Sequence, residues 1–398
     1  MTQRIHRLAL LLIALVAATF SWAEGVPTAV LYNEVFSLEN QPRDILLEGD
    51  IAAQYTAEGL QLNGTQGRIR LDRYYSLGHR TVRYVARFAA DAVVDFGSDT
   101  RDFVLRIDVA KKQMSVESNP RRWTQATFLN ADDDFLIQIE HRYATNLITL
   151  SNLHTGEEAC LQVTTEGEGG CNAGAVCQGY NGGFLFDYNC VSLAGGSSVL
   201  LRQMSVVAGA CNLTLLIYGD SITQPEGYFP SSDFPGAWTQ LIMNHVHGPA
   251  LASGRGGCTI NEVLRRIPNE LPYLRAKYVM VTIGTNGGNT EENLSQLVEY
   301  ILSQGSIPIL NNIPCNELND QVAKNEVIER VRRKYNIQGC RFDVATSMAR
   351  DGKEVDKSTM WFENLIDVYG RDIYHHPNVK GSHLMYLQTL LDVPQIYD

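Results

Sequence analysis

The chain is short of positive charge. Lys and Arg number 33 against 44 Asp and Glu, for a formal net charge of -11. Such a balance suits neither nucleic acid nor an anionic membrane surface as partner, and the dispersed acids read as solvated surface. The eight cysteines contain no Cys-x-x-Cys pair, which removes the usual spacing of a zinc site. No histidine motif accompanies any of them, as a catalytic thiol would require. No phosphate-binding glycine loop and no cluster of metal ligands occurs, so neither cofactor nor metal is expected. The Gly-x-Ser-x-Gly elbow of α/β-hydrolases is missing. Beyond Phe20 no apolar run is long enough to span a bilayer, so no stable membrane anchor is expected. No Pro/Ser-rich linker separates the two halves, which are therefore expected to pack directly on each other. The pattern assigns no oligomeric state.

What is present begins with a leader. Arg4 and Arg7 precede an apolar stretch, Leu8 to Phe20, and Ser21-Trp22-Ala23 supplies small residues where a signal peptidase reads. Residues 1–23 are thus expected to be a cleaved signal peptide, placing the mature chain outside the cell or in the periplasm. In that compartment cysteines pair. Cys315 and Cys340 flank one helical segment and are expected to bridge. Cys160, Cys171, Cys177 and Cys190 allow three pairings among themselves, and Cys211 with Cys258 is what elimination leaves.

Residues 24–208 read as all-β. Val82, Tyr84, Ala86 and Phe88 alternate with Thr81, Arg83, Val85 and Arg87. Phe103 to Val109 and Phe135 to Ile139 repeat the pattern, as do shorter runs at 147–150, 183–188 and 199–204. Period-two segments between polar or glycine turns predict antiparallel sheets with one face on a core, hence a β-sandwich of jelly-roll type. The stretch from Thr164 to Gly183 reads as a long, disulfide-pinned loop. From 209 to 398 the pattern changes to strands alternating with helices, which predicts an α/β three-layer domain around a parallel sheet. Helices are expected over 237–245, 260–267, 320–335 and beyond Pro377, with another capped by Asn289 and Glu292 and ended by Gly305. Ile307–Leu310 and Phe342–Ala345 read as strands.

The chemistry-bearing residues fall in four blocks. Leu213 to Tyr218 is a buried-strand run that ends in Gly219-Asp220-Ser221. Gly254-Arg255-Gly256-Gly257-Cys258-Thr259 follows Ala250-Leu251-Ala252. Val279 to Ile283 ends in Gly284-Thr285-Asn286. Asp372-Ile373-Tyr374-His375-His376-Pro377-Asn378 lies near the C-terminus. In these blocks, and in their order, residues 211–398 resemble the SGNH (GDSL) hydrolase superfamily. The N-terminal half is similar in pattern to concanavalin-like (laminin-G-like) sandwiches.

The resemblance implies Ser221 as nucleophile, His376 as base with His375 the alternative, and Asp372 as the acid that orients the base. It implies an oxyanion hole built from the backbone N–H of Ser221, the backbone N–H of Gly257 and the side-chain amide of Asn286. Two departures stand out. Asp372 precedes His375 by three residues but His376 by four, so a Ser-His dyad without it is a second expectation. Gly287 occupies a position where the family often carries aspartate. Asp220 reads as support for the turn. The expected activity is that of a secreted serine esterase removing small acyl groups, acetyl first, from a carbohydrate ester through an acyl-enzyme. Rival expectations are a lipase, phospholipase or thioesterase on the same site, a glycan-binding protein with an inactive hydrolase domain, and an acyltransferase.

Overall fold

The computed structural model describes residues 27–99, 103–118, 121–164, 188–224, 229, 233–361, 363–364 and 372–398. The expected signal peptide, Cys171, Cys177 and the strand expected over 183–188 lie outside the described residues, apart from Tyr188.

The N-terminal half is antiparallel β throughout. Its strands are β1 (Ala29–Val35), β2 (Ile45–Thr56), β3 (Gly59–Leu71), β4 (His79–Phe88), β5 (Val93–Ser98), β6 (Val104–Asp108), β7 (Gln113–Ser118), β8 (Arg121–Ala126), β9 (Asp134–Arg142), β10 (Thr145–Asn152), β11 (Glu158–Thr164), β12 (Asn189–Gly195) and β13 (Ser198–Ala208). They form one hydrogen-bonded path, β11-β10-β9-β4-β13-β3-β12-β5-β6-β7-β8, with β1 on β13 and β2 on β3. The expected sandwich therefore has continuous pairing. β3 is long enough to do this: Leu60–Asn63 pairs with β13, and Ile69–Arg70 pairs with β12. The path folds over one core, in which Tyr84, Phe88, Phe96, Ile107, Ile137 and Val163 meet. These are the alternate positions of the period-two pattern, and their burial is the main stabilising term.

The second half carries four parallel strands, β14 (Leu215–Gly219), β15 (Ala250–Gly254), β16 (Tyr278–Thr282) and β17 (Ile307–Leu310), in the order β15-β14-β16-β17. Helices α1 (Trp238–His245), α2 (Ile260–Leu274), α3 (Glu291–Ser303), α4 (Gln321–Tyr335), α5 (Phe342–Thr346) and α6 (Val379–Asp392) cover it. Leu216, Tyr218, Val279 and Val281 face Val263, Leu297 and Ile328 of α2, α3 and α4. Leu215, Ile217, Met280 and Ile309 face Trp238, Phe342 and Met385 of α1, α5 and α6. Each strand is buried on both faces, so an unbroken apolar run was its signature. Because β14 is followed by β15 on one side and β16 on the other, the carboxyl end of β14 is the sheet's topological switch point, where open α/β sheets bind ligands. Two short strands, β18 (Glu363–Asn364) and β19 (Asp372–Ile373), pair with each other near the C-terminus.

Three local expectations are corrected. Residues 342–346 form α5, not a strand; Thr346 Oγ1 donates to Phe342 O and closes the turn. The capping box of α3 is Thr290 with Asn293, one residue after Asn289, whose side chain is engaged with Ile283 O. No disulfide joins Cys315 to Cys340 or Cys211 to Cys258, and neither Cys160 nor Cys190 is in one. Cys315 Sγ instead donates to Asp343 O, and Cys340 packs in the cluster around Phe342 and Met385. Cys211 Sγ reaches Thr28 O, whereas Cys258 Sγ meets Tyr74 Oη.

The halves touch directly, as expected. Gly78 N donates to Ala252 O, Asn269 Nδ2 donates to Tyr74 O, and Tyr143 Oη accepts from Ala252 N.

Candidate active site

The four blocks converge at the carboxyl ends of the parallel strands. After Gly219 the chain makes a tight turn in which Thr223 N donates to Asp220 O and Gln224 N to Ser221 O. The turn lies so close to the strands that a Cβ on Gly219 would stand 2.0 Å from Thr223 Oγ1, and one on Gly254 would stand 2.6 Å from the Thr223 backbone. Glycine at these two strand ends is what lets the turn settle there. Trp238 Nε1 of α1 donates to Ile222 O and fixes the far side of the turn.

His376 arrives from the segment between β19 and α6. Its Nε2 lies 2.9 Å from Ser221 Oγ, 155 residues away in sequence, and both side chains are buried. The histidine backbone is held from behind. Trp361 N donates to His376 O, Asn378 N donates to Thr359 O, and Asn378 Nδ2 donates to Met360 O. Asn378 Oδ1 also accepts from Gly381 N and caps α6, so one residue ends the loop and starts the helix.

Of the two histidines, His376 is the one that meets Ser221 Oγ. His375 points elsewhere: its Nδ1 lies 3.6 Å from Glu317 Oε2, and its ring rests on that of His376 with centroids 4.3 Å apart. The backbone of Asp372 pairs with Asn364 in the two-stranded ribbon; its side chain lies outside the described residues.

Gly257 is exposed, with φ near +75°, and an added Cβ would meet nothing within 4 Å. Among the described residues no backbone carbonyl accepts from the N–H groups of Ser221 or Gly257. The Asn286 amide is beside them: Nδ2 donates to Cys258 O at 2.9 Å, which leaves its second hydrogen for another acceptor. Further bonds tie the loops together. Gly256 N donates to Gln224 Oε1, and Lys324 Nζ donates to Thr285 O. Gly287 lets the third block turn sharply, with its N–H on Gly284 O.

Asp220 is fully buried, with Oδ1 accepting from Ile222 N. Burial pushes its carboxyl up to about 6, against bonds to Ile222 and Thr285 and the charge of His375. The sign follows from linkage. A carboxyl raised in the folded state favours folding below its ordinary pKa, near 4, and that contribution is lost as pH rises through about 6. Asp220→Asn, which keeps the acceptor for Ile222 N, is expected to gain stability on wild type by about 3 kcal/mol between pH 4 and pH 8. Urea titrations of both proteins at the two pH values check this.

Beneath the blocks lie two buried opposite charges that sequence reasoning missed, and each feels the other's field. Arg266 and Glu270 sit four residues apart on the inner face of α2, both 0 % exposed. Arg266 donates to Gly219 O, Ser253 O and Ser253 Oγ, the ends of β14 and β15. Glu270 Oε1 accepts from Ser76 N of the sandwich half. The signal was there: two charges at i, i+4 within an otherwise apolar stripe. Glu317 and Lys324 carried no sequence signal at all.

No protein family profile and no curated protein matches the chain. Solved structures do resemble it. Lectin II from Ulex europaeus shares 12% identity over 45% of this chain and 98% of its own, with a TM-score of 0.32. The VIP36 exoplasmic/lumenal domain, in a Ca2+/Man3GlcNAc-bound form, shares 10% over 45% and 90%, with a TM-score of 0.34. Arcelin-5 from Phaseolus vulgaris, a lectin-like defense protein, shares 6% over 46% and 99%, also at 0.34. Likenesses this distant say nothing about what this chain binds or does.

Proposed function

We propose that the chain is a serine ester hydrolase of SGNH type, with Ser221 as nucleophile and His376 as general base. The observation that carries this reading is the 2.9 Å contact between Ser221 Oγ and His376 Nε2 at the sheet's switch point. With Nε2 unprotonated, the serine hydroxyl donates to it. Attack of Oγ on an ester carbonyl passes the hydroxyl proton to His376. The oxyanion is met by the N–H groups of Ser221 and Gly257 and by the Asn286 amide. Collapse expels the alcohol, which takes the proton from His376 and leaves an acyl-serine. Water then attacks, again through His376, to release the acid and restore Ser221. Asp372 is the proposed orienting acid, reached from the adjoining ribbon.

The proposed substrate is a small acyl ester, acetyl first, on a carbohydrate outside the cell or in the periplasm. The leader-like N-terminus and the accompanying β-domain motivate it. Hydrolysis of p-nitrophenyl acetate against octanoate tests the acyl size, and release of acetate from acetylated polysaccharides tests the alcohol. Acetate turnover in preference to octanoate is the expected result. Turnover of octanoate alone moves the site to the lipase class. No turnover and no labelling by a fluorophosphonate overturns the hydrolase reading in favour of a glycan-binding role.

Asn286→Ala removes one proposed oxyanion donor. It is expected to lower kcat about 100- to 1000-fold with KM nearly unchanged, because the lost bond forms only as charge develops on the carbonyl oxygen. Steady-state kinetics on p-nitrophenyl acetate check the split.

A further inference from the structure

Glu317 stands in the loop that follows β17, and the proposed chemistry does not use it. Its Oε2 accepts from Tyr374 N at 3.1 Å and lies 3.6 Å from His375 Nδ1. The His375 ring in turn rests on His376, with centroids 4.3 Å apart, and His376 meets Ser221. A continuous set of contacts thus runs from one carboxylate to the candidate base.

The carboxylate sits on a fixed platform. Asn316 Nδ2 donates to Asp320 Oδ1, and Asn316 Oδ1 accepts from Leu318 N, which hold the loop on either side of Glu317. Cys315, two residues earlier in the loop, packs with Val355, Met360 and Tyr374, so the same loop touches the histidine segment through apolar contact as well. Burial works to raise the Glu317 carboxyl. The contact with His375 and the bond from Tyr374 N outweigh it, and the pKa is lowered to about 2. The group is therefore an anion throughout the working range.

We propose that Glu317 is a positioning residue for His376. It holds the 374–376 segment through Tyr374 N and the His375 imidazole, in addition to the bond from Trp361 N to His376 O. The proposal rests on the reading of Ser221 and His376 as the hydrolytic pair. The physical reason is tolerance. Residues 374–376 lie between a two-residue strand and a helix N-terminus, with only the isolated bridge of Pro377 to Met360 beside them. A base displaced by about 1 Å costs on the order of 100-fold in rate, so an irregular segment that carries one needs more than one anchor.

The test is the rate of Ser221 labelling by a fluorophosphonate, which needs no knowledge of the substrate, measured for wild type, Glu317→Ala, Glu317→Gln and His375→Phe. Ester kinetics and thermal melting accompany it. Glu317→Ala is expected to label about 10- to 100-fold more slowly, with kcat falling and KM unchanged. Glu317→Gln still accepts from Tyr374 N and is expected to recover most of that rate. A purely structural role for Glu317 would lower the melting temperature without this split or this rescue, and would overturn the proposal. Labelling of Glu317→Ala at the wild-type rate would also overturn it. If Glu317→Ala does not fold, His375→Phe decides. It keeps a ring against His376 and loses the contact with Glu317; slower labelling supports the proposal, and an unchanged rate rejects it. A wild-type protein that takes no label overturns the hydrolase reading itself, a result distinct from any difference among variants.

Discussion

Ser221→Ala is expected to reduce ester hydrolysis by about four to six orders of magnitude while leaving the fold and its stability nearly intact. The size follows from the mechanism. Without Oγ there is no acyl-enzyme, and only the oxyanion donors and substrate positioning remain to accelerate direct attack by water. Those residual terms are worth about 1000-fold over the uncatalysed reaction in comparable serine sites. The small structural effect follows from the surroundings. The turn is held by backbone bonds from Thr223 and Gln224, by Asp220 Oδ1 on Ile222 N, and by Trp238 on Ile222 O. None of these uses the serine hydroxyl. His376 loses its bond to Oγ, but its backbone stays pinned by Trp361. His376→Ala is expected to cost nearly as much alone, and the double variant no more than either single one, because the two groups act as a unit. Hydrolysis rates on p-nitrophenyl acetate, with circular dichroism melts as control, measure all three. Additive losses, or full activity in Ser221→Ala, would remove the serine from the mechanism.

The parts legible in the sequence were those set by local periodicity. β14 and β16 are strands buried on both faces, and the apolar runs Leu213–Tyr218 and Val279–Ile283 report that environment directly. The alternation through Val82–Phe88 likewise reports one buried face. What failed was decided by contacts from outside the segment. Phe342–Ala345 is apolar enough for a strand, but its hydrogen bonds close on themselves, as in the bond from Thr346 Oγ1 to Phe342 O. Asn289 and Thr290 are both good caps; Asn289 was taken up by Ile283 O, and Thr290 remained.

The site divides in the same way. Glycines at the strand ends, Ser221 and the His-Pro-Asn run are needed at fixed points along the chain, so they left a pattern. His375 and His376 are adjacent, and sequence favoured His376 through the run Pro377-Asn378-Val379-Lys380-Gly381 directly after it, which resembles the stretch that follows the SGNH base. The cap made by Asn378 on Gly381 N is the physical counterpart of that signal, because it sets where the helix begins and hence which histidine precedes it. Glu317 reaches the site across 57 residues, through Tyr374 N and the His375 ring, and no spacing rule reports such contacts. The expected bridges failed because cysteine counting assigns partners without regard to which layer each thiol occupies; Cys315 and Cys340 lie in separate apolar clusters.

Replacing Arg266 by methionine, of similar length and no charge, is expected to destabilise the protein by about 3–5 kcal/mol at pH 8. The guanidinium is fully buried and serves four acceptors at once, Gly219 O, Ser253 O, Ser253 Oγ and Cys258 Sγ. Gly219 O also accepts from Arg255 N and keeps that partner, so the loss falls on Ser253 O and Ser253 Oγ, whose desolvation is then uncompensated by the guanidinium. The larger share comes from Glu270. Burial already pushes its carboxyl up against the pull of Arg266, and without the cation an ionised carboxylate would remain buried in an apolar interior. The loss should therefore shrink towards pH 5, where the orphaned carboxyl takes up a proton in the folded state. Arg266→Met with Glu270→Gln separates the two shares. The glutamine oxygen still accepts from Ser76 N, so the contact with the sandwich survives, and the double variant is expected to be more stable than Arg266→Met alone at pH 8 and to lose the pH dependence. Urea titrations of the two variants and wild type at pH 5 and pH 8 decide it. A loss under about 1 kcal/mol, or one that does not change with pH, would mean that the acceptors and Glu270 find other partners and that Arg266 does not hold the strand ends from which Ser221 and the glycine loop are launched.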